Sequence, residues 1–291
     1  MEQNFTGPAA GQILSRVTQK LLENGVVSAK AEAEILLRFF GEMDRIEIFT
    51  GDRNLSEEQN AGLMAAIEKR ATGIPLAYIL KETEFFGYKF FVNEQVLVPR
   101  PETEILVQEA LKLIPVTGEK PKILDVGTGS GCIAVSLTLK RPDIKMAALD
   151  VSYEALSIAR KNRDFHGLEK KITLVQSDLF SQLSREEDGK WDMIISNPPY
   201  IPQKDLKKLP REVKAEPVLA LDGGVHGLDV VEKILKEAPD FLKPGGFLLL
   251  EIGDGQSEML AKKLSDSKIY SGIKFVKDYN GIERVVIARH G

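Results

Sequence analysis

Ile123-Leu124-Asp125-Val126-Gly127-Thr128-Gly129-Ser130-Gly131 is the stretch that decides the fold. A short apolar run from Lys122 to Val126 ends in a glycine-rich turn, and Ile133 to Lys140 continues as a candidate helix. Glycines let a backbone turn sharply and come close to a ligand. The spacing is G-x-G-x-G. The dinucleotide fingerprint G-x-G-x-x-G places its third glycine where Cys132 stands, which weakens a nicotinamide reading. Taken alone, the loop is as readily an ordinary tight turn.

The same rhythm continues along the chain. Met146 to Val151, Ile172 to Val175, Met193 to Ile195 and Phe247 to Ile252 are further strand candidates. Tyr153 to Asn162, Asp229 to Phe241 and Glu258 to Leu264 supply helices between them. Alternation of this kind predicts a mostly parallel sheet with helices on both faces. Lys274 to Tyr279 and Arg284 to Ala288 flank Asn280-Gly281, which predicts a C-terminal antiparallel hairpin. The sum is an α/β, Rossmann-like sheet of seven strands. Asp150 ends the second of its strands, about twenty residues past the glycine loop, where a carboxylate can accept ribose hydroxyls. Asp178 ends the third, where it can face an adenine amino group. In open α/β sheets, ligands bind at these carboxyl ends.

Upstream the pattern differs. Ile13, Leu14, Val17, Leu21 and Leu22 fall on one helical face, and Gly25 stops it. Ser28 reads as the N-cap of a second helix carrying Ile35, Leu36 and Phe39. Ser56 and Gln59 have capping-box spacing ahead of Leu63 and Ile67, and Gly73 and Pro75 end that helix. Residues 1–81 are therefore expected to form a small helical bundle. Phe85, Phe86, Tyr88, Phe90 and Phe91 around Gly87 predict a β-hairpin linker over 82–98, with the α/β domain over 99–291.

The chain has 291 residues, enough for two domains, and its formal net charge of -4 lacks the basic surplus of a protein that grips phosphates. One cysteine excludes an intramolecular disulfide. Met1 to Gln12 is polar and no run reaches membrane-spanning length, so a cytoplasmic protein without a membrane partner is expected.

Asn197-Pro198-Pro199-Tyr200 follows the fourth strand, Trp191 to Ser196. Two prolines fix two φ angles and remove two donors, leaving a stiff loop whose carbonyls are pure acceptors. Asn197 adds an acceptor oxygen, and Tyr200 a flat aromatic face. A planar NH2 group fits such a site. Asn197 and the Pro198 carbonyl each accept one hydrogen, Tyr200 stacks on the plane, and the nitrogen lone pair is aimed outward. The plain alternative is a proline-rich turn after a strand.

Glycine loop, Asp150 and Asp178 together resemble the class I S-adenosylmethionine-dependent methyltransferases. The tetrapeptide resembles the (Asp/Asn/Ser)-Pro-Pro-(Tyr/Phe/Trp) signature of amino-methyltransferases, which also act on adenine N6 and guanine N2. Further segments are similar to the release-factor glutamine methyltransferases, the PrmC/HemK family. They are Arg70 to Pro75 with Tyr78, Glu84-Phe85-Phe86-Gly87, Leu97 to Glu104, Glu216-Pro217 with Ala220-Leu221, Gly223-Gly224, and Gly281 with Glu283-Arg284. That resemblance implies methyl transfer from S-adenosylmethionine, with no metal, to the side-chain N5 of the glutamine in the Gly-Gly-Gln motif of peptide-chain release factors. It implies catalysis by Asn197, Pro198 and Tyr200, and a cofactor pocket of Gly127, Thr128, Gly129, Ser130, Gly131, Asp150, Asp178, Leu179 and Asn197. Asn197, Pro198, Pro199, Tyr200, Arg100 and Glu102 would meet the substrate, and the helical domain would recognise it. A monomer with no obligatory nucleic acid is expected. Leu179 stands where relatives can carry an aromatic residue, and His226 where the Gly-Gly-x-Asp-Gly-Leu pattern has an acid.

Several residues carry two readings. Arg100, Glu102 and Glu104 either shape a cleft or cap the helix after Pro101, since acids favour helix N-termini. Phe85, Phe86, Phe90 and Phe91 form either packing or a protein-binding patch. Cys132 is either a thiol acidified at a helix start or a small packed residue. His166, His226 and His290 are too scattered for a metal site or a triad, and terminal His290 is expected to face solvent. Two competing functions remain: a nucleic-acid amino-methyltransferase that flips its base, and a binding module without catalysis.

Overall fold

The structure, a computed structural model, describes residues 10–50, 53–115, 119–184 and 190–291. The reading of Met1 to Gln12 falls largely outside them. The chain divides into two compact units. One comprises Met1–Lys81 with Pro210–Ala215, and the other Glu82–Leu209 with Glu216–Gly291.

The first unit holds α1 (Ala10–Glu23), α2 (Ala29–Phe40), α3 (Arg45–Thr50), α4 (Glu57–Ala71) and α5 (Leu76–Leu80). Ile13, Leu14, Val17 and Leu21 are buried at helical spacing, whereas Leu22 is exposed one step past the stripe. On α2 the buried face is Ala29, Glu32, Ala33, Leu36 and Leu37. Ile35 and Phe39, four residues apart, share the flank that stays largely exposed. Ser56 and Gln59 form both bonds of a capping box. Ser28 precedes α2 but spends its hydroxyl on Glu32 instead of a backbone amide. Glu32 in turn takes the buried Arg70 in two hydrogen bonds of 2.5 and 3.1 Å, and Arg70 reaches Glu212 at 2.6 Å. α3 has six residues, too few to show a period in the sequence.

The second unit opens with the antiparallel hairpin of β1 (Glu82–Phe85) and β2 (Tyr88–Phe91). There follow α6 (Pro101–Leu113), β3 (Lys122–Val126), α7 (Cys132–Lys140), β4 (Lys145–Asp150), α8 (Tyr153–Phe165), β5 (Ile172–Gln176) and β6 (Trp191–Ser196). The short α9 (Gln203–Leu206) and α10 (Arg211–Lys214) come next, α10 lying in the segment that belongs to the first unit. Then come α11 (Asp229–Glu237), β7 (Leu242–Glu251), α12 (Ser257–Ser267), β8 (Tyr270–Lys277) and β9 (Glu283–His290). The sheet order is β5-β4-β3-β6-β7-β9-β8, parallel except where β9 runs antiparallel to both β7 and β8. This is the expected seven-stranded architecture with its C-terminal hairpin.

Element ends differ from expectation where partners override local signals. β7 starts at Leu242, five residues early, because Trp191 pairs with Leu242 across a register shift. α11 stops at Glu237 and tightens into a 3-10 turn over Ala238–Asp240, since Pro239 has no amide to continue it.

Two apolar clusters cover the two faces of the sheet. Ile123, Met193, Ile195 and Leu249 face α6 and α7, while Leu124, Ile194, Leu248 and Leu250 face α11 and α12. Phe85 and Phe90 are buried in the first of these, and Phe86 and Tyr88 pack against it partly buried. A polar clamp joins the hairpin to the glycine loop. Asn162, fully buried, accepts the Phe91 amide at 2.7 Å and donates to the carbonyls of Phe91 and Ser130 at 2.9 and 2.8 Å. Asn162→Leu keeps the size but strands these buried groups, so it should destabilise the protein by about 2–4 kcal/mol. Urea denaturation checks this by a lowered midpoint.

Candidate functional site

The carboxyl ends of the parallel strands surround one cavity of about 260 Å³ within the second unit. Gly127, Thr128, Gly129 and Ser130 border it after β3, Asp150 at the end of β4, Asp178 and Leu179 after β5, and Asn197, Pro198 and Pro199 after β6. Arg100 and Thr103 close another side. Of the residues singled out in the sequence, Gly131, Glu102 and Tyr200 do not border it. Gly131 packs on α8, where an added Cβ would stand 3.3 Å from Ala159. Tyr200 borders a neighbouring cavity with His226 and Gly253.

Local bonds hold the glycine loop open. The amides of Gly127 and Thr128 donate to Leu149 O at 2.9 and 2.8 Å, and the Gly129 amide donates to Asp150 Oδ2 at 2.8 Å. Gly127 and Gly129 have positive φ, and a Cβ added to either would meet nothing within 4 Å. The space before them is therefore clear for a ligand. Asp150 Oδ1 accepts the Ser152 amide at 3.0 Å, so each oxygen of this carboxylate retains a lone pair for another donor. Ser177 Oγ donates to Leu179 O at 2.7 Å and fixes the turn, in which Leu179 has a φ of 48°. Leu179 offers an apolar side chain there but no aromatic face.

Asn197 and Tyr200 are braced from behind. Asn197 Nδ2 donates to Thr103 Oγ1 at 3.1 Å, and Tyr200 Oη donates to Glu251 Oε1 at 3.3 Å. Gln256 Nε2 donates to Tyr200 O at 3.0 Å. Gly227 comes so close to that carbonyl that a Cβ would lie 2.3 Å from it. Glu216 accepts the Val98 amide at 3.3 Å and pairs with Arg100. Arg100 precedes α6 without making a side-chain cap, Glu102 and Glu104 lie in the first turn, and Glu104 accepts the Phe86 amide at 2.7 Å. Arg100 thus faces the cavity, while Glu104 ties the helix to the hairpin.

Burial dominates the electrostatics. It pushes the Asp125 carboxyl up to about 7, against the lowering effect of the Thr128 hydroxyl, which donates to Asp125 Oδ2 at 2.6 Å. Burial likewise raises Asp150, and pushes Glu251 up to about 7. Asp125 Oδ1 and Glu251 Oε2 are buried acceptors without a hydrogen-bond partner. Burial also raises the Tyr200 phenol, which stays a donor. Cys132 is pushed by burial up to about 12, an inert packed thiol and not an acidified one. His290 is half-buried and contacts Lys243 O at 3.1 Å, because β9 carries it into the sheet. Among the described residues no group of histidine, cysteine and acidic side chains could hold a metal.

Thr103, Asp125 and Glu251 are the residues that reading the sequence for a site missed. Asp125 and Glu251 carried one signal, an acid within an otherwise apolar strand. Thr103 carried none, since one threonine in a helical first turn is unremarkable.

Comparison with known proteins adds four findings. Family models described as "Methyltransferase small domain" and "PrmC N-terminal domain" match residues 102–216 and 12–80. A "Release factor glutamine methyltransferase" of Geobacter sulfurreducens is 40% identical over 273 residues, covering 93% of each chain. Another, of Nitratidesulfovibrio vulgaris, is 38% identical and covers 99% of this chain and 98% of its own. A solved methyltransferase from Pyrococcus furiosus, 22% identical, superposes with a TM-score of 0.52 over 71% of this chain and 90% of that one, a likeness of fold.

Proposed function

From the premise that this chain belongs to the release factor glutamine methyltransferases, we propose that it transfers a methyl group from S-adenosylmethionine to N5 of the glutamine in the Gly-Gly-Gln motif of release factors. The observation that carries the site assignment is the tetrapeptide beside the glycine-lined cavity, with Asn197 tied through its amino group so that Oδ1 remains the acceptor.

The cavity fits the cofactor chemically. S-adenosylmethionine has two cationic centres, and the Asp150 carboxylate borders the cavity. The space before Gly127 and Gly129 admits the chain of a ligand. Asp150 would take the ribose hydroxyls and Asp178 the adenine amino group, with Leu179 as an apolar wall. Bound S-adenosylmethionine supplies an electrophilic methyl on a sulfonium, and its departure leaves a neutral thioether.

An amide nitrogen is a poor nucleophile because its lone pair is delocalised into the carbonyl. Asn197 Oδ1 and Pro198 O, each accepting one amide hydrogen, would localise that pair and stabilise positive charge developing on nitrogen. Tyr200 would hold the plane of the glutamine amide, and the stiff Pro198-Pro199 loop would hold attack geometry. The helical unit would recognise the release factor, and Arg100, anchored by Glu216, would line the substrate's approach.

Methyl transfer from labelled S-adenosylmethionine should label a purified release factor, and not one whose Gly-Gly-Gln glutamine is replaced. Label on DNA or ribosomal RNA instead would keep the amino-methyl chemistry and overturn the substrate. Asn197→Ala should leave cofactor binding intact and lower kcat by ~10² or more. Unchanged turnover would remove Asn197 from catalysis. Asp150→Ala should weaken S-adenosylmethionine binding at least ~10-fold by calorimetry, the loss of one charge-assisted contact.

A further inference from the structure

We propose that Gln256 is a positioning residue that holds the Asn197 to Tyr200 loop in place by clamping the Tyr200 carbonyl. This deepens, and rests on, the assignment of that loop to the substrate nitrogen.

A loop of this composition is hard to hold still. Pro198 and Pro199 have no amide hydrogen, so neither can be tied down as a donor. The Pro198 carbonyl has to stay free if it is to receive a substrate hydrogen. At the leading end, Ser196 pairs with Leu250, and its Oγ donates to Val126 O at 2.6 Å. Past the trailing end, the chain is laced to segment 221–224. The Ile201 amide donates to Leu221 O and the Gly223 amide to Ile201 O, each at 2.9 Å, and the Gln203 amide donates to Gly224 O at 3.0 Å. The Tyr200 carbonyl lies between these anchors. Being an acceptor, it needs a donor from another element.

Gln256 supplies that donor. It stands immediately before α12 and is 5% exposed. Its Nε2 donates to Tyr200 O at 3.0 Å and to Gly227 O at 3.1 Å, and its Oε1 accepts the Gly253 amide at 2.8 Å. All three partners are backbone groups of fixed polarity, so the side chain has one workable orientation. Turned over, it would set its oxygen against two carbonyls and its amino group against an amide. Gly227 completes the clamp. A Cβ there would lie 2.3 Å from Tyr200 O and 2.8 Å from Gln256 Nε2, so a side chain would wedge the two apart. A Cβ on Gly253 would stand 3.2 Å from Tyr200 Cδ2, so the ring packs against the same turn. With Tyr200 Oη donating to Glu251 at 3.3 Å, the tyrosine is fixed at its backbone and at its far end. Gln256 does not border the cavity assigned to the cofactor. Its effect on turnover therefore runs through the loop.

The test uses the full-length enzyme with a release factor as acceptor. It compares Gln256→Met, Gly227→Ala, Tyr200→Ala and the double variant Gln256→Met with Tyr200→Ala against wild type. Gln256→Met keeps an unbranched side chain and removes both donors; Gly227→Ala inserts the wedge. Calorimetry gives the fraction of molecules that bind S-adenosylmethionine, and kcat is taken per binding molecule. Gln256→Met and Gly227→Ala should each lower kcat at least ~10-fold through lost attack geometry, with S-adenosylmethionine dissociation constants within about twofold of wild type. In the Tyr200→Ala background Gln256→Met should cost less than it does in wild type, since the ring it positions is gone. Wild-type kcat in Gln256→Met, or in a folded Gly227→Ala, would overturn the proposal. So would full additivity in the double variant, or loss of S-adenosylmethionine binding in Gln256→Met, since either makes Gln256 a residue of the fold at large. If wild type itself leaves the release factor unmethylated, the functional assignment fails and takes this inference with it. If wild type is active and Asn197→Ala inactive while Gln256→Met is unimpaired, only the inference fails.

Discussion

Parallel pairing of β3 with both β4 and β6 is the constraint on which the second unit depends. From β3 the chain winds outward through β4 to β5, then returns to the other side of β3 as β6. At that reversal the loops after adjacent strands diverge and leave a crevice. The glycine loop and the Asn197 to Tyr200 segment stand on its two sides because they follow β3 and β6. Neither would have a partner if the strand order were sequential.

The crevice is also where the unit tolerates buried polarity. Asp125 and Glu251 point to the same face of the sheet, at the ends of β3 and β7, flanking the strand that carries Asn197. Each leaves a carboxylate oxygen without a partner. Elsewhere the same face is closed by Ile, Leu and Met side chains. Buried unpaired acceptors cost stability, so their concentration at one end of the sheet marks the place where fold and chemistry compete. Asn162 shows the opposite case, a buried amide whose groups are all used and whose task is to hold the loop still.

The helical unit solves a related problem with a charge. Arg70 is buried in α4 but meets Glu32 from α2 and Glu212 from the returning segment 210–215. That segment is continuous in the chain with the loop after Tyr200 on one side and with Glu216 on the other. Glu216 anchors Arg100 at the cavity edge. Residues that lie far apart in sequence thus converge on a few carboxylates.

Sequence alone determined the sheet, its helices and its hairpin, because periodicity and glycine punctuation act locally and survive without knowledge of partners. It also placed Gly127 to Ser130, Asp150 and Asn197 to Pro199 around one crevice, since strand ends in a parallel sheet share one edge. Element ends at Leu242 and Glu237 depended on pairing across β6 and on Pro239. The buried face of α2 was set by its neighbours and not by its largest side chains. Only tertiary structure decided that Thr103, on a helix, meets Asn197 nearly a hundred residues later, and that Glu251 stands behind Tyr200. Hydrogen-bond polarity of this kind depends on which groups are brought together away from water. A linear pattern of residue types does not contain that information.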